Sequence, residues 1–193
     1  VWAVPSNTVN NEIDEKPWQI APAISEQIYT LEDALLFAEM QMVIIRNADA
    51  IKIACQSLLT NISACIMTEK GGGHWLQTIY YPFYYFANYA KGIVLNVSST
   101  GPVYDCKEFN NVPYVDSIVV WNDEDGELVF FAVNRDEDNK QKVSLQLSDF
   151  KVDSVIESIG MTAADKKMTN QFQHDAVKPE TVDNVKLGNG EAK

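Results

Sequence analysis

The chain is poor in the residue types that most often carry chemistry. It has three cysteines and two histidines in 193 residues. Cys55, Cys65 and Cys106 are odd in number and lack Cys-x-x-Cys spacing, which argues against a disulfide framework or a zinc ribbon. Cys55 and Cys65 sit in apolar runs and are expected to pack as small hydrophobes. With only His74 and His174 present, a zinc site built from several histidines is excluded, so neither a metal nor a cofactor is expected. Basic residues are scarce too: 15 Lys and Arg against 27 Asp and Glu, a net charge of −12. A phosphate backbone needs a basic face, so nucleic acid is not an expected partner, and neither is an anionic membrane surface. No run reaches the ~20 apolar residues of a membrane helix. The opening VWAVPSNTVNNE has no basic start followed by an apolar core, so it does not read as a signal peptide. It also lacks an initiating Met, and the chain reads as a piece of a longer protein, which leaves secretion open.

What is present is enough apolar material for a core: the hydrophobic fraction is 46%. The pattern is organised around Met67 to Gly92, MTEKGGGHWLQTIYYPFYYFANYAKG. Here a short apolar run ends in Thr68-Glu69 and is followed by Gly71, Gly72 and Gly73, which permit a sharp turn. An aromatic helix comes next, starting between Gln77 and Pro82, with Gly92 as its C-cap. Helical periodicity precedes this stretch and strand-like alternation follows it. The expected fold class is α/β plus all-β, with residues 1–92 and 93–193 as two units.

Along the chain, residues 1–28 look irregular, with Pro5, Pro17 and Pro22 among Asn and Ser; Trp2 and Trp18 either pack or wall a ligand. Thr30 opens a helix, with Asp33 completing a capping box. Leu31, Leu35, Ala38, Met42 and Ile45 form its apolar face, and it should end near Asn47. Ile51 to Cys55 is β-prone and reads as a buried strand. Residues 57–67 are ambiguous between strand and helical turn. After Ile93 come short runs rich in Val, Ile and Phe: GIVLNV, SIVVW, ELVFFAVN, KVSLQL and DSVIESI. The acidic turns NDEDGE and RDEDNK are expected to join neighbours as antiparallel hairpins, and they are too short for an EF-hand calcium loop. Regular strand spacing implies a β-sandwich. The polar tail from Lys178 shows no obvious closing strand.

No complete catalytic set is visible. There is no G-x-S-x-G elbow, P-loop or dinucleotide fingerprint. His74 beside the glycine loop is either a surface residue or a general acid–base group. Glu69 is a lone carboxylate where glycosidase chemistry needs two, ~5 Å apart for retention. Gln56 either hydrogen-bonds a polar ligand or is satisfied by backbone.

The order of WQIAPAISEQIYTLEDALLFAEM, NADAIKIACQSLLTNISACIMTEKGG and WLQTIYYPFYYFANYAKGIVL resembles the C-terminal half of the family 51 α-L-arabinofuranosidases. VPYVDSIVVWN and ELVFFAVNRD resemble the start of that family's C-terminal sandwich. The resemblance implies the C-terminal part of a (β/α)8 barrel over 1–92, comprising unit seven in part and unit eight. A jelly-roll-like antiparallel β-sandwich over 93–193 would follow. It implies a retaining hydrolase of terminal arabinofuranosyl groups on arabinan, arabinoxylan and related oligosaccharides, commonly intracellular and oligomeric. The family's two glutamates belong to barrel strands four and seven. Val1-Trp2 resembles the end of the Glu-Trp-x-Val-Trp nucleophile segment, so both carboxylates are expected upstream of residue 1 and no catalytic residue is expected in the chain. Trp2 would wall the leaving-group side. Gln56 lies two residues before the family's substrate-binding Gln position, where this chain has Leu58. His74 and Trp75 would lie on the active-site face. Two other readings stay open: a related family 51 endoglucanase, and a carbohydrate-binding or structural β module.

Overall fold

The structure, a computed structural model, describes residues 18, 20, 26–147, 150–183, 185–188 and 191–192. Helix α1 spans Leu31–Arg46 and helix α2 spans Tyr80–Tyr89. Strands β1 (Ile66–Thr68) and β2 (His74–Leu76) lie between them, and β3 (Ile93–Leu95) follows α2. The chain continues with β4 (Val103–Tyr104), β5 (Val112–Pro113), β6 (Val115–Asn122), β7 (Glu127–Asn134), β8 (Leu145–Gln146) and β9 (Ile159–Met161). It ends with β10 (Pro179–Thr181), β11 (Leu187–Gly188) and β12 (Glu191–Ala192).

Helix α1 forms as its sequence requires. The Asp33 carboxylate accepts from the Thr30 backbone N–H and hydroxyl, both at 2.8 Å, and the Thr30 hydroxyl accepts from the Asp33 N–H at 3.2 Å. Two further N-terminal donors would otherwise be orphaned. Leu31 N–H donates to Met168 C=O at 2.9 Å and Glu32 N–H to Lys166 C=O at 3.0 Å. A segment far along the chain thus finishes the cap. The apolar face of α1 packs as spaced: Met42 is fully buried with Phe86, Ile118 and Val133, and Leu35, Ala38 and Ile45 close around them. The Phe86 and Phe131 rings stack at 4.3 Å. Both helices therefore lie against the largest sheet, which has the order β3-β6-β7.

Strands β6 and β7 form an antiparallel hairpin in register from Val115↔Asn134 to Asn122↔Glu127. Its NDEDGE turn matches the sequence expectation, with Asn122 Oδ1 accepting from Glu124 N–H at 3.2 Å. RDEDNK does not behave the same way. After β7 the chain closes on itself, Asp136 Oδ1 accepting from Asp138 and Asn139 N–H at 3.1 and 3.0 Å, and the next strand, β8, pairs with β12 rather than with β7.

Four further expectations are corrected. Ile51 to Cys55 is not a strand: it is exposed, with no ladder partner among the described residues. Its β propensity is real, but a strand exists only where another backbone pairs with it. Cys55 is consequently exposed, while Cys65 is buried as expected. Gly92 lies two residues past the Ala90 C-cap; its φ of +111° and close approach demand glycine, since a Cβ would sit 2.2 Å from Trp121 C=O. The tail after Lys178 does supply strands, β10 pairing with β9 and β12 with β8. All strand pairs among the described residues are antiparallel; the Thr60–Ile66 contact is an isolated parallel bridge.

Candidate functional site

The glycine loop is the tip of a short hairpin. β1 and β2 pair as Ile66↔Leu76, Met67↔Trp75 and Thr68↔His74, and Gly71 turns the chain at φ +69°. Glu69 sits in that turn, its N–H donating to Gly73 C=O at 2.9 Å. Gln77 then anchors the hairpin's base. Its side chain is buried, with Oε1 accepting from Tyr29 N–H at 3.0 Å and Nε2 donating to Gln27 and Ala64 C=O at 2.9 and 2.8 Å. Thr78 adds a bond of 2.7 Å to Thr30 C=O. Three segments are fixed by one buried amide whose every bond is made, as burial of such a group requires.

A second wall comes from residues 170–175. Buried Asn170 donates to Leu76 C=O at 3.1 Å and to Val177 C=O at 2.8 Å, tying this wall to β2. Gln171 and His174 exchange backbone bonds of 3.0 and 2.9 Å, forming a tight turn with Gln173 at φ +58°. Between the walls lies a half-open cleft of about 310 Å³, lined by His74, Trp75, Leu76, Phe172, Gln173 and Asp175. Trp75 meets Phe172 edge-on, ring centres 6.4 Å apart. The Trp75 indole N–H is buried without an acceptor.

This cleft holds one carboxylate, Asp175, and a two-carboxylate hydrolytic centre needs a second across the scissile bond. Another pair looks more suggestive at first. Burial pushes the Glu39 carboxyl above the usual range, against the hydrogen bonds and charge of Arg135. Asp116 is held below its usual value: burial opposes this, but hydrogen bonds from Glu39 and Arg46 and both guanidinium charges outweigh it. Divergent carboxylates can mark an acid and a nucleophile. Here they do not, because the pair is clamped. Arg135 Nε donates to Glu39 at 2.8 Å and Arg135 Nη2 to Asp116 at 3.1 Å, while Arg46 also pairs with Asp116. It is an ion-pair clasp between α1 and the β6–β7 hairpin.

A family model for the alpha-L-arabinofuranosidase C-terminal domain matches residues 2–193. The chain belongs to that family. An intracellular exo-α-(1→5)-L-arabinofuranosidase of Halalkalibacterium halodurans is 41% identical over 164 residues, covering 84% of this chain and 33% of the relative. The enzyme of that name from Acetivibrio thermocellus is 36% identical over 191 residues, covering 98% of this chain and 38% of the relative. The chain thus spans about a third of the length of the curated relatives it matches. Among solved structures, a family 51 α-L-arabinofuranosidase from Bifidobacterium longum superposes with a TM-score of 0.79 at 26% identity, covering 94% of this chain and 36% of that one. A family 51 arabinofuranosidase from Xanthomonas axonopodis pv. citri shares the fold, with a TM-score of 0.77 at 22% identity over 86% of this chain and 34% of its own.

In this arabinofuranosidase C-terminal domain the expected site residues divide. His74 and Trp75 both line the cleft. Gln56 does not: its amide donates to Ser57 and Ser63 C=O at 3.3 and 3.4 Å, so backbone satisfies it. Trp2 lies outside the described residues, and Trp18 is exposed. Sequence reasoning missed Phe172, Gln173 and Asp175; the one available signal was an isolated aromatic in the polar run NQFQHD. No described helix is long and apolar enough to cross a membrane.

Proposed function

We propose that the chain is the C-terminal third of a retaining exo-α-L-arabinofuranosidase that removes terminal arabinofuranosyl groups from arabinan- and arabinoxylan-type oligosaccharides. Residues 1–92 close a (β/α)8 barrel and residues 93–193 form the sandwich that braces it. The observation that carries this reading is the family match over residues 2–193, joined to relatives named as exo-arabinofuranosidases. In this reading both catalytic glutamates belong to the preceding part of the polypeptide. Glu69 is no substitute, since it lies in the hairpin turn, and the Glu39–Asp116 pair is neutralised by arginine. The chain's contribution is structural and positional: His74 and Trp75 lie on the active-site face, and Trp2 walls the leaving-group side. The relatives are named intracellular, which supports a cytoplasmic enzyme.

The test is hydrolysis. The full-length protein should release nitrophenol from nitrophenyl α-L-arabinofuranoside and arabinose from linear arabinan, while the 193-residue chain alone releases neither. Turnover by the chain alone, or a full-length protein that cleaves β-glucan and not arabinan, would overturn the reading.

A further inference from the structure

We propose that the turn from Phe172 to Asp175 joins His74 and Trp75 to form the pocket for the saccharide that departs in the reaction, with Phe172 as the residue that selects it. The proposal rests on the arabinofuranosidase reading for the identity of the sugar. It deepens that reading by giving a binding role to the segment between β9 and β10.

Two segments far apart in sequence interlock here. Phe172 lies so close to the glycine loop that a Cβ on Gly73 would sit 2.8 Å from its ring. Gly73 is not at positive φ, so this contact, and not the turn of the backbone, is what favours glycine there. The same ring meets Trp75 edge-on, with centres 6.4 Å apart. The contact with Gly73 therefore sets how near Phe172 stands to the strand that carries His74 and Trp75.

The turn is anchored on both sides. Asn170, only 1% exposed, donates to Leu76 and Val177 C=O, and its Oδ1 accepts from Val177 N–H at 2.8 Å. Just before it, Thr169 bridges to Thr30, and Met168 C=O accepts from Leu31 N–H at the start of α1. A loop held by rigid elements can present side chains at fixed places, as a specific site requires.

Size and lining select the ligand. About 310 Å³ is at the small end of the range for small-molecule sites, roughly 300–1,000 Å³, and suits one sugar unit. No lysine or arginine lines the cleft, and Asp175 disfavours an anion. Trp75 and Phe172 offer apolar ring surface to the C–H faces of a sugar. The buried Trp75 indole N–H lacks an acceptor, and a sugar hydroxyl is one. Gln173 and Asp175, both exposed, add acceptors for further hydroxyls. A sugar alkoxide is a poor leaving group, so holding the departing sugar contributes to the rate; a nitrophenolate departs with little such help.

The test uses the full-length protein with α-1,5-linked arabinotriose and nitrophenyl α-L-arabinofuranoside as substrates. Phe172→Ala should lower the ratio of kcat/KM for the trisaccharide to that for the nitrophenyl glycoside by roughly tenfold. Phe172→Tyr keeps the ring and should keep the parental ratio. Gly73→Ala leaves Phe172 in place but displaces its ring, so the ratio should fall here too; this variant carries the test if Phe172→Ala does not fold. A ratio unchanged in both alanine variants overturns the pocket, since the cleft would then lie off the substrate's path. An equal fall in Phe172→Tyr and Phe172→Ala also overturns it. A parent that cleaves neither substrate overturns the enzymatic reading and the pocket with it, whereas a parent that cleaves both, with variants of unmoved ratio, overturns the pocket alone.

Discussion

Two apolar regions of this chain meet opposite fates. Around Met42, Phe86, Ile118 and Val133 the side chains are buried between α1, α2 and the β6–β7 hairpin. Between Ile51 and Ile62 similar residues stand in solvent, with Ile53 83% exposed and Leu59 76%. Composition does not separate the two regions; pairing does. VDSIVVWN and ELVFFAVN are eight-residue register partners joined by a tight turn, so each supplies the other's ladder within a few residues. IKIAC has no such neighbour among the described residues, and an unpaired backbone keeps its side chains from being enclosed.

The sharpest way to break this comparison is to truncate one isoleucine in each region. Ile118 is 2% exposed and touches the α1–α2 core. Ile118→Ala should cost about 2–5 kcal/mol, the range for a buried large-to-small change. Ile53→Ala should change stability by less than about 0.5 kcal/mol, as surface substitutions do. Urea unfolding midpoints of the isolated chain read both. Equal losses would mean that the 51–62 segment is packed, and the comparison would fail.

The same contrast explains what the sequence revealed. Helix α1 was legible down to its capping box, because Thr30, Asp33 and the three-and-four spacing are local signals. The NDEDGE hairpin was legible for the same reason. IKIAC was misread because β propensity says nothing about the partner. The cleft was half legible: His74 and Trp75 flank a glycine turn, but their opposite wall comes from residues nearly a hundred positions later, in a stretch with little periodicity. Gln77 left only a faint trace, one polar residue in an apolar run, although it holds three segments together.

A smaller effect should come from the clasp between the two halves of the packed region. Arg135→Gln leaves Glu39 and Asp116 with Arg46 as their remaining cation, and should cost on the order of 1–3 kcal/mol near neutral pH. The sign with pH follows from the carboxylates. Asp116 has a depressed value, so its contribution is present above its ordinary value of 3.8 and is lost as pH falls through the lower folded value. Glu39 has a raised value, so protonation favours the folded state as pH falls from that value toward 4.5. The two oppose each other, and the clasp's net acid sensitivity is modest. Without Arg135, acid relieves carboxylate repulsion, so the gap between variant and parent should narrow on going from about pH 7 to about pH 4. A gap that widens toward acid would show that Arg135 acts on something other than these two groups.

The mildest test of the two regions leaves stability untouched and reads thiol chemistry. Cys65 belongs to the enclosed side: it packs with Tyr29, Ala34 and Ile79, and burial pushes its thiol from 9.0 to about 11. Cys55 lies in the open IKIAC run, and Cys106 is also exposed. The thiolate is the reacting form, and a buried neutral thiol offers neither charge nor access. In the native chain at mildly alkaline pH, a disulfide reagent should therefore modify two thiols rapidly and the third more slowly by at least roughly tenfold. Peptide mapping should identify the slow one as Cys65, and denaturant should bring all three to one rate. If Cys55 instead shared the slow phase in the 193-residue chain, the 51–62 segment would be enclosed after all. The division between a self-paired region and an unpaired, open one would then have to be redrawn.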